Sequence, residues 1–185
     1  MIGWIVLGIV VVLVIGMVLG FNTLRRLDVR AQEALGGIDV QLTRLADLIP
    51  NLVETVRGYA EHERSVLDEV TRARTAVTAA AAGGSVAQRA EVSDALDRAL
   101  VRVMAVAESY PDLKASANFV DLQRQLGDTE NQLAFARQYY NDAVSQLNGK
   151  VVTIPYLWLT GMAGVKQREF YQAEESHQAP PQVKF

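Results

Sequence analysis

From residue 24 onward the apolar positions recur every seven residues. One series runs Leu35, Leu42, Ile49, Val56, Glu63, Val70, Val77; its companion runs Leu24, Ala31, Ile38, Leu45, Leu52, Tyr59, Val66, Ala73. Only Glu63 interrupts them, and Arg, Glu, Asp, Gln and Thr fill most positions between. A repeat of about 3.5 residues held this long predicts a left-handed, coiled-coil-like seam on one continuous helix. Pro50 stands inside the pattern, where it removes a hydrogen bond and crowds the carbonyl of Ala46. A hairpin there would need loop residues and would reset the phase. The seam passes through Pro50 in step, so a kinked helix is the expectation. Gly83 and Gly84 are expected to stop it in a left-handed conformation.

Two further amphipathic stretches follow. Ser85, with Gln88 three residues on, has the form of a capping box. The helix it opens carries Val92, Leu96, Ala99, Val103, Val106 and Tyr110 on one face and stops before Pro111. Asn118 with Asp121 resembles a second N-cap. The third helix carries Phe119, Leu122, Leu126, Leu133, Ala136, Tyr140, Ala143, Leu147 and Ile154, and Pro155 closes it. Three such helices bury their stripes most simply in an antiparallel bundle, the first pointing away from its start, the second returning and the third pointing away again. In that arrangement the stripe from Leu24 to Leu45 has no partner among the helices. Leu35, Ile38, Leu42 and Leu45 are therefore expected to meet another subunit or the C-terminal segment.

Residues 1–21 carry no charged side chain and are almost all Ile, Val, Leu, Gly and Met. At about 1.5 Å per residue they reach about 30 Å, a hydrocarbon core. A cleaved signal peptide would need a basic start, a shorter run and a small-residue cleavage site, none of which is present. The expectation is an uncleaved anchor at 1–22. Arg25, Arg26 and Arg30 follow it, at lipid head-group depth, and by the positive-inside rule put the N-terminus outside and the remainder in the cytoplasm. Gly8, Gly16 and Gly20 share one ridge of the span, a pattern that allows close helix association in lipid.

The anchor leads into the bundle, 23–155, which is followed by an apolar segment, 156–172, and a polar, flexible tail, 173–185. Tyr156, Leu157, Trp158, Leu159 and Met162 make the segment apolar but too short to span. It is either an interfacial element on lipid or a neighbouring subunit, or a fourth piece packed on the bundle.

The chain has 185 residues, a net charge of -3 and no cysteine, so disulfides and thiol chemistry are excluded and a basic nucleic-acid face is not expected. His62 and Glu63 begin like a zinc motif, but Val66 stands where the second histidine belongs. Glu174 and His177 match half of a di-iron motif without its pair. No catalytic, cofactor or metal residue is nominated. Glu63, and Glu130 with Arg137 a heptad later, are polar groups near the seam that either fix register or reach solvent at its edge.

The run at 38–63 (IDVQLTRLADLIPNLVETVRGYAEHE) resembles the LemA family signature. So do AESYPDLKA at 107–115, NFVDLQ at 118–123, the stretch 129–142 and the terminal APPQVKF. The resemblance covers nearly the whole chain. It implies a bacterial membrane-anchored protein with a mostly helical cytoplasmic bundle and no established enzymatic activity; one relative is associated with forming magnetosome membranes. Leu35, Gly36 and Gly37 stand where many relatives carry a Trp, which would loosen the first helix there.

The sequence thus reads as an all-α, single-pass protein of the bacterial cytoplasmic membrane. Its function is expected to be non-enzymatic: self-association and organisation or remodelling of the bilayer, with membrane lipids and further copies of itself as partners. The alternative is an adaptor presenting a helical stalk to a cytoplasmic protein; an enzyme using carboxylates and Tyr is the third reading.

Overall fold

The computed structural model describes residues 1–172; the expected tail, with Glu174 and His177, lies outside the described residues. The chain is all-α: α1 (Ile2–Arg57), α2 (Arg64–Ala81), α3 (Val86–Glu108), α4 (Pro111–Lys114), α5 (Ala117–Val151) and α6 (Tyr156–Ala163). They form two compact units, one of residues 1–36 with 138–170, the other of 37–137 with 171–172.

In the second unit the seam of α1 buries Ile38, Leu42, Leu45, Ile49, Leu52 and Val56, all at most 1% exposed. α1 runs through Pro50 as one helix, so there is no hairpin at that residue. It ends at Arg57, however, and the continuous helix to Gly83 expected from the repeat is two helices. Residues 58–63 turn the chain, with the Ala60 amide donating to Val56 O at 2.8 Å and the Glu63 amide to Ala60 O. Arg74 Nε then donates to Ala46 O at 3.0 Å, so α2 returns alongside α1. The loop fits inside one heptad. It occupies only the Tyr59 and Glu63 positions of the two series, and the repeat resumes in phase on α2. Tyr59 is exposed, and half-buried Glu63 precedes α2 and accepts from Tyr110 Oη at 3.4 Å, off the helical seam.

Ser85 and Gln88 form the full capping box that opens α3. Gly83 and Gly84 do not adopt a left-handed conformation; among the described residues only Gly164 does, at φ 64°. Gly84 is needed for space, since a Cβ there would lie 2.9 Å from Ala80 O. Asn118 lies inside the first turn of α5, which already starts at Ala117, and Asp121 is engaged by Arg124 and Gln125 instead of by a cap. Pro111 opens α4.

The direction of α5 also departs from expectation. Arg44 donates to Gln132 at 3.0 Å in the second unit, and Arg30 reaches both Tyr139 Oη and Gln146 Oε1 in the first. Asn51, Glu54 and Thr55 near the end of α1 also share a groove with Asn118, Asp121 and Gln125 near the start of α5, so α5 runs antiparallel to α1 in the second unit. With a hairpin already made by α1 and α2, the bundle of the second unit closes with α1, α2, α3 and α5, which restores the alternation of an up-and-down bundle. The stripe from Leu24 to Leu45 is consequently not free for another subunit. Leu24 and Ala31 are fully buried in the first unit, whose core also takes in Tyr140, Ala143, Val144 and Leu147 from α5 and Ala163 and Val165 beyond it. Leu35 alone of the nominated seam residues is half-buried.

Candidate membrane interface

The first helix is apolar for long enough to cross a bilayer, and none of that stretch is buried by the protein. Residues 1–19 are exposed on every face. Such a surface in water would carry a hydrophobic cost far above what a small domain tolerates. The chain is membrane-associated through this helix.

Gly20 is where the protein first closes on α1. A Cβ there would lie 2.5 Å from Leu159 Cδ1 and 4.0 Å from the Tyr156 ring, so α6 packs directly against the end of the apolar run. The same position on Gly8 and Gly16 meets nothing within 4 Å. The three glycines therefore differ: Gly20 makes room for α6, and the other two lie open on the span.

α6 is apolar on both faces. Leu159 and Ala163 face inward with Tyr156, while Leu157, Trp158 and Met162 face outward, Trp158 at 72% exposure. Val152 and Ile154, just before α6, are exposed too; Ile154 lies beyond the end of α5 and is not part of its stripe. The inward face is thus packed, as in the reading of a fourth piece on the bundle, and the outward face is left open. Lys150 places its ammonium 4.6 Å above the Tyr156 ring. Gly164, in the left-handed conformation, ends α6 and turns the chain back.

The returning residues form a strap. The Arg168 amide donates to Asn148 Oδ1, and Asn148 Nδ2 donates to Arg168 O, both at 2.9 Å. Arg168 pairs with Asp28 at 2.8 Å, and Tyr140 Oη donates to Glu169 O. Asn148→Ala is expected to weaken the strap by about 1–2 kcal/mol, two hydrogen bonds to one residue. Limited trypsin digestion then cleaves after Lys166 or Arg168 about tenfold faster than in the wild type.

Of the basic residues after the span, Arg25 and Arg26 are exposed, Arg25 making only a long contact of 3.9 Å to Asp28. Arg30 is engaged by Tyr139, whose ring lies 5.5 Å from its guanidinium carbon, and by Gln146.

The second unit holds a buried polar cluster that the heptad reading missed. Arg89, 7% exposed, binds both carboxylate oxygens of Asp39, at 2.5 and 3.0 Å, and also donates to Gly84 O. Tyr171 donates to Arg89 O at 3.1 Å and lies under the Arg137 guanidinium. Arg137 in turn donates to Ser93 at 2.5 Å and lies 3.7 Å from Asp97. The available signal was Arg89 itself, which lies on the apolar face of α3 seven residues before Leu96.

Arg137, Glu130 and Asp97 line a groove of about 520 Å³ with Leu100, Val101, Met104 and Leu126. Burial pushes the Glu130 carboxyl above its usual range, and Asp97 adds to this while Arg137 opposes it. Folding therefore favours the protonated acid, and ionisation penalises the folded state as pH rises through the raised value. Glu130→Gln is expected to stabilise the protein at pH 7, by less than about 1 kcal/mol because the group is exposed to solvent screening. Near pH 3 the gain disappears. Chemical denaturation at both pH values measures it.

Comparison with known proteins places these features in a family. The LemA family model matches residues 34–185. Magnetosome proteins MamQ 1 and MamQ 2 of Paramagnetospirillum magneticum are each 23% identical over 194 residues, covering 92% of this chain and 71% of theirs. MamQ of Magnetospirillum gryphiswaldense is 22% identical over 179 residues, covering 83% and 66%.

Proposed function

Since the chain belongs to the LemA family, we propose that it is a non-enzymatic, single-pass membrane protein that self-associates and organises the bilayer. The observation that carries this reading is the docking of α6 on Gly20, which brings a second apolar surface to the end of the span. The likeness to magnetosome proteins supports the organising role. Self-association runs through the span in this account, because the cytoplasmic seam is consumed within the chain. Gly8 and Gly16 offer the open small-residue face there.

Energy transfer between labelled copies in vesicles tests it. Transfer should fall toward the level of random mixing in Gly8→Ile with Gly16→Ile. Wild-type transfer no higher than random mixing would remove self-association. For topology, Arg25, Arg26 and Arg30 support an N-terminus outside and the chain beyond the span in the cytoplasm of a bacterial cell. The chain has no cysteine, so His62→Cys, at an exposed position of the 58–63 loop, gives one labelling site. An impermeant maleimide should label it only after lysis; labelling in intact cells would reverse the orientation.

The groove between α3 and α5 favours a second reading, an adaptor receiving an apolar helix from a cytoplasmic partner. Crosslinking from Val101, followed by pull-down, distinguishes them: an adaptor retains one abundant heterologous protein.

A further inference from the structure

We propose that residues 152–163 form an in-plane membrane wedge that embeds Ile154, Leu157, Trp158 and Met162 in one leaflet, at the acyl–headgroup boundary where α1 leaves the bilayer. The inference rests on α1 being a membrane anchor. It goes beyond that reading by assigning a second lipid contact of different geometry.

Three observations carry it. First, position. Leu159 against Gly20 places α6 at the end of a run about 30 Å long, which is the level of the bilayer surface. Second, shape. α6 has eight residues and is about 12 Å long, far too short to cross. Third, chemistry. Residues 151–165 contain no charged side chain, and Lys150 and Lys166 flank them on either side. Lysines at both edges with Tyr156 and Trp158 between them match the aromatic and snorkelling pattern of a membrane interface.

Lipid is the occupant because the outward face of α6 continues the fully exposed apolar surface of the span. Because α6 carries no charge of its own, its insertion depends on apolar burial, so it responds to packing defects rather than to anionic head groups. Insertion into one leaflet expands that leaflet and bends the bilayer toward it.

The protein has two tryptophans, Trp4 and Trp158, which allow both lipid contacts to be read separately. Full-length Trp4→Phe is reconstituted in phosphatidylcholine vesicles whose acyl chains are brominated either near the carbonyls or near the terminal methyls. Trp158 emission should be blue-shifted and lose roughly half its intensity with the shallow label, and much less with the deep one. Emission at the wavelength of water-exposed Trp overturns the proposal. So does blue-shifted emission that neither lipid quenches, which would assign the face to protein.

Trp158→Phe is the control, because Trp4 then reports the span. Quenching of Trp4 without quenching of Trp158 removes the wedge and leaves the anchor standing; loss of both removes the anchor itself. The curvature consequence is read by electron microscopy of the same vesicles. Wild type should give smaller or tubular vesicles, and Trp158→Ser with Met162→Ser should not. Equal vesicle shapes would overturn the wedge.

Discussion

Arg89→Leu is expected to lower folding stability by about 3 kcal/mol, measured by denaturant unfolding of the detergent-solubilised protein. The guanidinium is nearly buried, grips both oxygens of Asp39 and also satisfies Gly84 O. Removing it leaves a partly buried carboxylate and a carbonyl without their donor, and that loss dominates the gain from an added apolar side chain. The double variant Arg89→Leu with Asp39→Leu should recover most of the stability, because no uncompensated charge remains. Arg102→Ala supplies the contrast. Its pair with Glu69 is nearly as short, at 2.7 Å, yet the arginine side chain is 62% exposed, and its loss should cost less than about 1 kcal/mol.

Tyr171→Ala is expected to cost a further large amount, about 3 kcal/mol, by removing an aromatic side chain that is 4% exposed. Its ring lies 5.2 Å from the Arg137 guanidinium carbon and its hydroxyl holds the backbone of Arg89. Tyr171→Phe keeps the ring and loses only the hydrogen bond, about 1 kcal/mol. Because Tyr171 touches the residue that pairs with Asp39, its effect and that of Arg89→Leu should not add. Burial, the leading cause, holds the phenol above its ordinary pKa, with Arg137 opposing. The folded state therefore keeps this proton longer than the unfolded chain. Stability should fall as pH rises above about 10, and Tyr171→Phe should lack that component of the fall.

The fold class, the long apolar N-terminal helix, the cap of α3 and most of the buried seam were legible because they depend on local signals: a long apolar run, a seven-residue repeat and a four-residue capping pattern. The hairpin at 58–63 was not, because its length preserves the phase of the repeat. Missing it reversed the expected direction of α5, and that error in turn made the stripe at Leu24–Leu45 look partnerless. One loop hidden within a heptad thus accounts for the topology, and of the two partners expected for the stripe it is the C-terminal segment that reaches this stretch of α1, through Arg168 on Asp28.

The site was legible in part. Trp158, Leu157 and Met162 were identifiable as an apolar cluster, but which of the cluster stays exposed depends on Gly20, 139 positions from Leu159 in the chain. A glycine in a membrane span is equally consistent with association between copies, and only its contact with α6 assigns it. The Asp39–Arg89–Tyr171 cluster was invisible to periodicity, which treats polar residues as surface. Its partners come from α1, α3 and residue 171, so no local pattern joins them.

A nitroxide scan of residues 152–163 measures the orientation of α6 most directly, in the full-length protein in vesicles. With no native cysteine, each position is labelled alone. Accessibility to oxygen, which concentrates in lipid, should peak at 154, 158 and 162 and dip at 156, 159 and 163, with the peaks at one shallow depth. A profile dominated by water-soluble relaxants at 158 and 162, or peaks at steadily increasing depth, would contradict an in-plane helix seated at the end of the span.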